Sequence, residues 1–286
     1  MPNPPFATRF APSPTGLLHR GHAVSALCGF EAARAVGGRF LIRIEDLDET
    51  RVRPEFETAI FEDLAWLGLS WETPVRRQSE HRDDYRGALS TLCAQGLLYR
   101  CFKTRRELME ASASAPHGSD PSPYRGDPLP EAEETARLAR GEPFAWRLSL
   151  EGAKAALGPA WSDLSFHEEG AGPAGETGRI AAEPERLGDV ILARKDVGAA
   201  YHLAVVVDDA LQGITHVIRG TDLFEAAHIQ RLIQALLGLP TPTYRHHHLL
   251  IDETGQRLAK RRGGETLRDL RASGAGPEDV RRELGF

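Results

Sequence analysis

Residues 9–22 read RFAPSPTGLLHRGH, a short apolar run that breaks at a turn of two prolines and a glycine and then leads into a helix. From His22 to Val36 the composition is helical, and two glycines then end the segment. The first turn of a helix has unpaired backbone N–H groups and a positive dipole end, so it attracts phosphate. We therefore predict a phosphate-binding helix start with His19 and His22 as added donors; two surface histidines on a loop are the alternative.

The composition of the 286 residues, with 41% hydrophobic and 27% charged residues, predicts a globular protein with one large domain, alone or with an appendage. Neither a membrane span nor a signal peptide is apparent, so we expect a cytoplasmic protein without membrane contact. Three widely spaced cysteines predict reduced thiols. Because the formal net charge is −6, an RNA partner needs a local basic surface, which residues 257–271 provide.

Strand and helix patterns alternate in the first half of the chain. Residues 39–44 form a β-type run, Pro54 suits the first turn of a helix that ends at Gly68, and a second amphipathic helix is predicted over 80–95. A region rich in Ser, Pro, Gly and Asp follows, up to residue 130. The alternation predicts a doubly wound α/β sheet, and the polar region indicates an insertion.

In the second half of the chain the most distinctive pattern is the nearly continuous apolar run at residues 201–207, for which we predict a buried strand. A turn over 208–213 and a strand over 214–219 then follow. Further strands are predicted at 145–150 and 189–193, with a glycine-rich loop between them. The chain closes with a helix over 221–237, a strand over 246–251, a turn over 252–255, a basic loop and two short helices.

Polar side chains stand at the ends of four predicted strands. Ligands of doubly wound sheets bind beyond the carboxyl ends of the strands, near the point where the strand order reverses. Two arginines, a carboxylate and a phenol beside a phosphate-binding helix suit an amino acid with a second carboxylate. We predict a glutamate pocket from the set as a whole; for Arg9, Glu45 or Arg219 taken alone, an ordinary surface ion pair is the better interpretation. The predicted residues are Arg9, Ser13, Glu45, Tyr201 and Arg219.

Five motifs occur in the order found in the catalytic domain of class I glutamyl-tRNA synthetases, and the resemblance covers nearly the whole chain. His19-Arg-Gly-His22 resembles the family's His-Ile-Gly-His signature. Residues 257–261 resemble its Lys-Met-Ser-Lys-Ser loop, but Arg257 replaces the first lysine and Ala259 the serine, so we expect reduced but surviving activity. The motifs lie at residues 12–22 (Pro12 to His22), 43–48, 201–209, 213–223 and 255–261 (the loop Arg257 to Arg261).

The chain is most similar to the short paralogues of this family, the glutamyl-queuosine tRNA(Asp) synthetases. Val205 follows Ala204 where full-length enzymes commonly have asparagine, and only 25 residues follow Arg261. The resemblance implies a Rossmann-type doubly wound α/β fold with an inserted connective subdomain and no anticodon-binding domain. It divides the chain into a first Rossmann half, the insertion, a second Rossmann half and a short helical tail, at residues 1–98, 99–188, 189–262 and 263–286.

The resemblance also implies a ligase that uses ATP and Mg²⁺. It would convert L-glutamate to glutamyl-adenylate without tRNA and transfer glutamate to the queuosine base at the wobble position of tRNA(Asp). His19, His22 and Lys260 would be catalytic, and Gly21 would join them in binding ATP. A truncated glutamyl-tRNA synthetase that charges a tRNA 3′ end and a non-catalytic glutamate- or adenylate-binding module are the alternative functions. We expect a monomer.

The residue pattern does not predict a metal site. The short paralogues often hold zinc in the insertion, but here only Cys101 and Tyr124 match that set and Lys103 stands at the second cysteine position, so we expect no zinc. Of the histidines at 246–248, alternation along a strand predicts that His246 alone faces the substrate. Four acidic residues either cap turns, which we favour, or bind a metal: Asp46, Asp48, Asp208 and Asp209.

Overall fold

The computed structural model describes residues 5–104, 107, 123–194, 198–250 and 265–286. Strands and helices alternate through most of this part of the chain. In chain order they are β1 (Ala7–Phe10), α1 (Arg20–Ala35), β2 (Arg39–Ile44), α2 (Pro54–Trp66), β3 (Glu72–Arg77), α3 (Arg82–Ala94), β4 (Leu98–Cys101), α4 (Glu131–Ala139), β5 (Ala145–Leu148), α5 (Leu150–Leu157), β6 (Ser165–Glu168), β7 (Gly178–Ala181), β8 (Ile191–Arg194), β9 (Gly198–Ala199), α6 (Tyr201–Leu211), β10 (His216–Gly220), α7 (Phe224–Leu237), β11 (Thr243–His247), α8 (Leu267–Ala272) and α9 (Pro277–Glu283).

The central layer is a parallel sheet with helices packed against it, which confirms the predicted doubly wound α/β fold. Strands β1, β2 and β3 run parallel, and so do β10, β11 and β6. The two groups meet where the backbone N–H of Thr215 donates to the carbonyl of Ala7 at 2.9 Å. Because β2 and β3 follow outward from β1 on one side and β11 follows outward from β10 on the other, the strand order reverses between β1 and β10.

A separate antiparallel sheet contains β4, β5, β8 and β9. Strands β6 and β7 lie within residues 99–188, for which we predict the insertion, yet they extend the parallel sheet through β11. One residue pair, Tyr244 and Glu168, makes this junction. The predicted segment thus contributes strands to both sheets. Its pairing with β11 could not be predicted, because residues so far apart leave no local pattern in the sequence.

The prediction of a strand at residues 201–207 is wrong, because the segment forms helix α6. Its side chains are buried from Leu203 to Asp209, and the predicted turn is the last turn of the same helix, closed by Gly213 at a φ of 66°. A helix that is enclosed on nearly all sides has the same continuous apolar run as a buried strand. Periodicity alone could not separate the two.

Most other predicted elements are confirmed, with shifted ends. Helix α2 begins with Pro54 at its first turn, and α7 ends at Gly238, whose φ of 64° closes it. Strand β11 begins before the predicted position and ends at His247, whereas β3 was not predicted. The predicted turn at 252–255 lies outside the described residues. No helix in the described ranges is long and apolar enough to cross a membrane.

The two C-terminal helices complete a core that also includes α1, β2 and α2. Leu267, Leu270 and Val280 are buried there. Asp63 of α2 is fully buried at this contact, and its carboxylate oxygens make no hydrogen bond to described residues. The closest cation, Arg271 Nη2, is 3.5 Å away. Burial therefore raises the pKa of Asp63 to about 6, and Arg271 only partly offsets the rise.

We expect Asp63→Asn to stabilise the protein at pH 8. Well below pH 3.8 the carboxyl is neutral in the folded and unfolded states, whereas above pH 6 folding buries a charge that lowers the free energy of unfolding. The variant should gain on the order of 1–2 kcal/mol at pH 8 and much less at pH 4. Denaturant unfolding at pH 4, 6 and 8 measures this, with Asp279→Asn as an exposed control. A gain that is the same at every pH would contradict the role of charge.

Candidate functional site

A cavity of about 290 Å³ lies beyond the carboxyl ends of β1 and β10, beside the start of α1. The structure thus brings together residues from five distant parts of the chain. The predicted glutamate residues Arg9, Ser13, Glu45, Tyr201 and Arg219 all border it, and so do the predicted nucleotide residues His19, Gly21 and His22. Lys260 and the predicted loop at 257–261 lie outside the described residues.

Arg9 and Glu45 are connected through two buried charged residues, Asp209 and Arg43. Oδ1 of Asp209 accepts hydrogen bonds from Arg9 Nε at 2.9 Å and from Arg43 Nη1 at 2.6 Å. Arg43 also donates through Nη2 to Glu45 Oε1 at 3.3 Å. None of the four side chains is more than 12% exposed. Their mutual hydrogen bonds therefore fix the rotamers of Arg9 and Glu45, which face the cavity.

The electrostatics of this network leave Glu45 short of positive charge. Burial raises the pKa of Glu45, and Arg43 and Arg9 only partly offset the rise. For Asp209, burial also favours the neutral form, but Arg9 and Arg43 outweigh it and hold the pKa below its usual value. A cationic group placed against Glu45 would therefore stabilise its ionised form. The cavity suits a ligand ammonium at this position.

Arg219 is held in a single orientation by three hydrogen bonds. Its Nε donates to His246 Nε2 at 3.0 Å, Nη1 to Gln230 Oε1 at 2.9 Å and Nη2 to the carbonyl of Leu223 at 2.9 Å. The guanidinium carbon lies 5.2 Å from the ring centre of Tyr244. A guanidinium has five N–H donors, so two remain for a ligand carboxylate in the cavity.

The prediction that His246 faces the substrate is wrong, because His246 lies buried behind Arg219. Since Arg219 Nε is a donor, Nε2 of His246 accepts and its Nδ1 carries the proton, which it donates to Glu168 Oε2 at 2.6 Å. Burial lowers the pKa of His246, which keeps the ring neutral. The neighbouring His247 borders the cavity instead, with its Nε2 2.9 Å from Ser25 Oγ.

The two signature histidines form the start of α1, which begins at Arg20 and not at His22. His19 Nδ1 accepts from the backbone N–H of Gly21 at 3.1 Å, and His22 Nδ1 accepts from the N–H of His19 at 3.2 Å. The rings stack with centres 3.8 Å apart. Two of the backbone N–H groups predicted to bind phosphate are therefore occupied. An imidazole that accepts through Nδ1 carries its proton on Nε2, which is then the nitrogen able to donate to an anion.

Tyr201 and Ser13 are the exposed members of the predicted glutamate set. Tyr201 is the first residue of helix α6, and not the first residue of a strand as predicted. Its position at the cavity does not depend on whether this segment is a strand or a helix. Helix α6 thus supplies both the exposed phenol at its first residue and the buried Asp209 two turns later.

The acidic residues considered as metal ligands are occupied by protein donors. Asp46 accepts from the backbone N–H and hydroxyl of Ser79, and Asp48 accepts from Thr50. Asp208 accepts from three side chains, namely Arg76, Gln78 and Tyr85. Among the residues that the structure describes, no group of three or more His, Cys, Asp or Glu side chains is arranged to hold a metal ion.

The partial zinc set in the insertion does not fit a zinc ion. Cys101 Sγ lies 3.7 Å from the hydroxyl of Tyr124, so these two residues are neighbours. At the position of the expected second thiolate, the ammonium of Lys103 lies 5.5 Å from the Tyr124 ring centre. One thiol, one phenol and a cation do not provide the four donors of a structural zinc site.

Comparisons with known proteins agree with this geometry. The chain matches the family of "tRNA synthetases class I (E and Q), catalytic domain" over residues 5–284. It is 46% identical to the glutamyl-Q tRNA(Asp) synthetase of Rhodobacter capsulatus, over 98% of this chain and 99% of that protein. It is 38% identical to the glutamate–tRNA ligase of Aquifex aeolicus, over 95% of this chain and 54% of that one.

Solved structures give the same result at the level of the fold. A glutamate tRNA ligase from Elizabethkingia meningosepticum, crystallised in complex with its amino acid, superposes with a TM-score of 0.72 at 29% identity. The superposition covers 91% of this chain and 53% of that ligase. From the family match, the relatives and the fold together, the chain belongs to the class I tRNA synthetases (E and Q).

Proposed function

We propose that this protein activates L-glutamate with ATP and transfers the glutamyl group to the queuosine base at the wobble position of tRNA(Asp). The observation that carries the proposal is the single cavity in which Arg9, Glu45 and Arg219 meet the paired histidines of α1. Use of ATP follows from membership of the class I family. The choice of acceptor is supported by relatives of similar length, 39–46% identical, that are named glutamyl-Q tRNA(Asp) synthetases.

Glutamate has one ammonium and two carboxylates, which match the charges around the cavity. We place the α-ammonium against Glu45, whose raised pKa marks a shortage of positive charge. Arg9 is linked to Glu45 through Asp209 and would bind the α-carboxylate on the same carbon. Arg219, on another strand, would then bind the side-chain carboxylate. A neutral or shorter side chain would leave a buried guanidinium partly unpaired, which gives selectivity for glutamate.

In the activation step an α-carboxylate oxygen attacks the α-phosphorus of ATP. A bond from that oxygen to phosphorus forms, the bond to the pyrophosphate oxygen breaks, and pyrophosphate leaves with the electron pair. Chemistry of this kind depends mainly on positioning and on neutralising phosphate charge. The Nε2–H groups of His19 and His22 suit that task, and the motif match adds Lys260. When bound with ATP, Mg²⁺ would supply further neutralisation of phosphate charge.

Other parts of the proposal remain predictions from the sequence. They include the limits of the four chain segments, a monomeric state and a cytoplasmic location. RNA binding by the basic segment 257–271 is also a prediction, since the segment is described only from Glu265 onward. Within that described part, Arg271 already pairs with Glu62 at 3.2 Å. The remaining basic residues are therefore the better candidates for contact with the RNA backbone.

Acceptor choice is the direct test of the proposed function. We expect labelled glutamate to be attached to tRNA(Asp) that contains queuosine, and not to tRNA(Asp) without queuosine or to tRNA(Glu). Glutamate-dependent exchange of pyrophosphate into ATP should proceed without any RNA. Stable labelling of tRNA(Glu) would instead show a truncated glutamyl-tRNA synthetase, and absence of exchange would show a non-catalytic binding module.

Replacement of Arg219 tests the glutamate pocket. We expect Arg219→Ala to raise the KM for glutamate in pyrophosphate exchange by about 30-fold or more, because a ligand carboxylate is then desolvated without its partner. The KM for ATP should change little. Arg140→Ala removes an exposed arginine that does not border the cavity and serves as the matched control. An unchanged KM for glutamate would remove Arg219 from the pocket.

Glu168 tests whether the residues behind Arg219 position it. A glutamine amide in Glu168→Gln can donate to His246 Nδ1, which would move the imidazole proton to Nε2 and oppose it to the Nε–H of Arg219. We expect the KM for glutamate to rise about 10-fold with a smaller change in kcat. The double variant Glu168→Gln/Arg219→Ala should be no worse than Arg219→Ala alone. Additive losses would show that Glu168 acts independently.

A further inference from the structure

One side of the cavity, between α1 and the end of β11, carries none of the residues that the proposed function gives to glutamate or to phosphate. Apolar side chains provide most of its surface, and a serine and a histidine provide polar atoms. The residues are Val24, Ser25, His247, Leu249 and Leu250. A ligand in the cavity therefore meets an apolar surface that includes one polar pair.

Ser25 and His247 form a hydrogen-bonded pair whose proton positions follow from their partners. His247 Nδ1 lies 2.9 Å from the carbonyl oxygen of His248 and donates to it, because a carbonyl can only accept. Burial lowers the pKa of His247, so the ring is neutral at pH 7 and its Nε2 has no proton. This Nε2 lies 2.9 Å from Ser25 Oγ and therefore accepts from the hydroxyl.

The carbonyl of Gly21, 3.4 Å from Ser25 Oγ, is a second acceptor within reach of the same hydroxyl. If the hydroxyl donated to Gly21, Oγ and His247 Nε2 would face each other at 2.9 Å with no proton between them. The hydroxyl proton is therefore fixed on the side of His247. Because a hydroxyl has a single proton and further acceptor sites, Ser25 Oγ can only accept from a ligand.

The position of Ser25 on α1 indicates which ligand this is. Ser25 follows Gly21 by four residues and His22 by three, so it lies on the same face of the helix, one turn further along. With the phosphates of ATP at the signature histidines and glutamate at the two arginines, the nucleoside extends along this face. The apolar surface beside Ser25 suits a purine.

We propose that Ser25 accepts a hydrogen bond from the nucleoside of ATP, and that His247 is the positioning residue that keeps Ser25 an acceptor. The assignment rests on the proposed function. Adenosine offers a donor in the amino group of its base and in the 2′- and 3′-hydroxyls of its ribose. A fixed acceptor favours a nucleotide with a donor at this point, because a nucleotide without one leaves Oγ unpaired.

The first measurement is the Kd of ATP by calorimetry in the wild-type protein and in Ser25→Ala. We expect the Kd to rise about 10-fold, which corresponds to the loss of one hydrogen bond. Ser90→Ala is the matched control, because it removes an exposed hydroxyl within helix α3 that does not border the cavity. The control should bind ATP as the wild-type protein does.

Three analogues of ATP identify the donor. Purine riboside triphosphate lacks the amino group, and 2′-deoxy-ATP and 3′-deoxy-ATP each lack one ribose hydroxyl. The analogue without the group that contacts Ser25 should bind equally well to the wild-type protein and to Ser25→Ala, whereas the others should keep the 10-fold difference. The same loss for ATP and for all three analogues would show a structural effect and overturn the contact, as would an unchanged Kd for ATP.

Two replacements of His247 test its positioning role. His247→Leu removes the acceptor and lets the hydroxyl turn to Gly21, whereas His247→Gln supplies an amide oxygen in its place. We expect the Kd of ATP to rise about 3-fold in His247→Leu and to stay near the wild-type value in His247→Gln. In a Ser25→Ala background His247→Leu should cause no further loss. Equal Kd values in the leucine and glutamine variants, or a loss that persists without the Ser25 hydroxyl, would overturn this role.

The proposed function is tested separately, by glutamate-dependent pyrophosphate exchange in the wild-type protein without RNA. Absence of exchange would contradict the proposed function. The contact between Ser25 and the nucleoside is decided by the Kd values alone, because binding of ATP does not require the reaction. The two failures are therefore distinguishable.

Discussion

One carboxylate oxygen, Oδ1 of Asp209, accepts hydrogen bonds from two buried arginines of neighbouring strands. Charges buried this deeply are tolerated only when they are paired, so β1, β2 and α6 must pack in register for Arg9 and Arg43 to be accommodated. The same pairing gives Arg9 and Glu45 their orientations at the cavity. Folding of the sheet and assembly of the amino-acid site are therefore a single event in this region.

A second buried chain of polar groups serves the other half of the sheet. Glu168 on β6 orients His246 on β11, which in turn holds Arg219 on β10. Both chains follow the same plan, in which an arginine at the cavity is backed by a buried carboxylate, directly on one side and through a neutral imidazole on the other. The strand order reverses between these two halves, and both arginines border the cavity at that point.

The residues facing the cavity could be predicted from the sequence, because they lie in short motifs at the ends of predicted elements. The residues behind them could not. Asp209 is 200 positions from Arg9, and Glu168 is 78 positions from His246, so no local pattern connects either pair. The sequence predicts a strand where helix α6 forms, because burial on all sides removes the polar positions that reveal a helical period. Likewise, the junction of β6 with β11 depends on one distant residue pair.

The helix start at His19 and His22 joins two tasks in one pair of side chains. Each imidazole accepts a backbone N–H through Nδ1, so each can form the cap only while that nitrogen has a free lone pair. A proton added to Nδ1 would convert the acceptor into a donor and oppose it to the N–H that it now satisfies. A ring that caps α1 in this way carries its proton on Nε2, so Nε2–H is the donor through which it can help a phosphate.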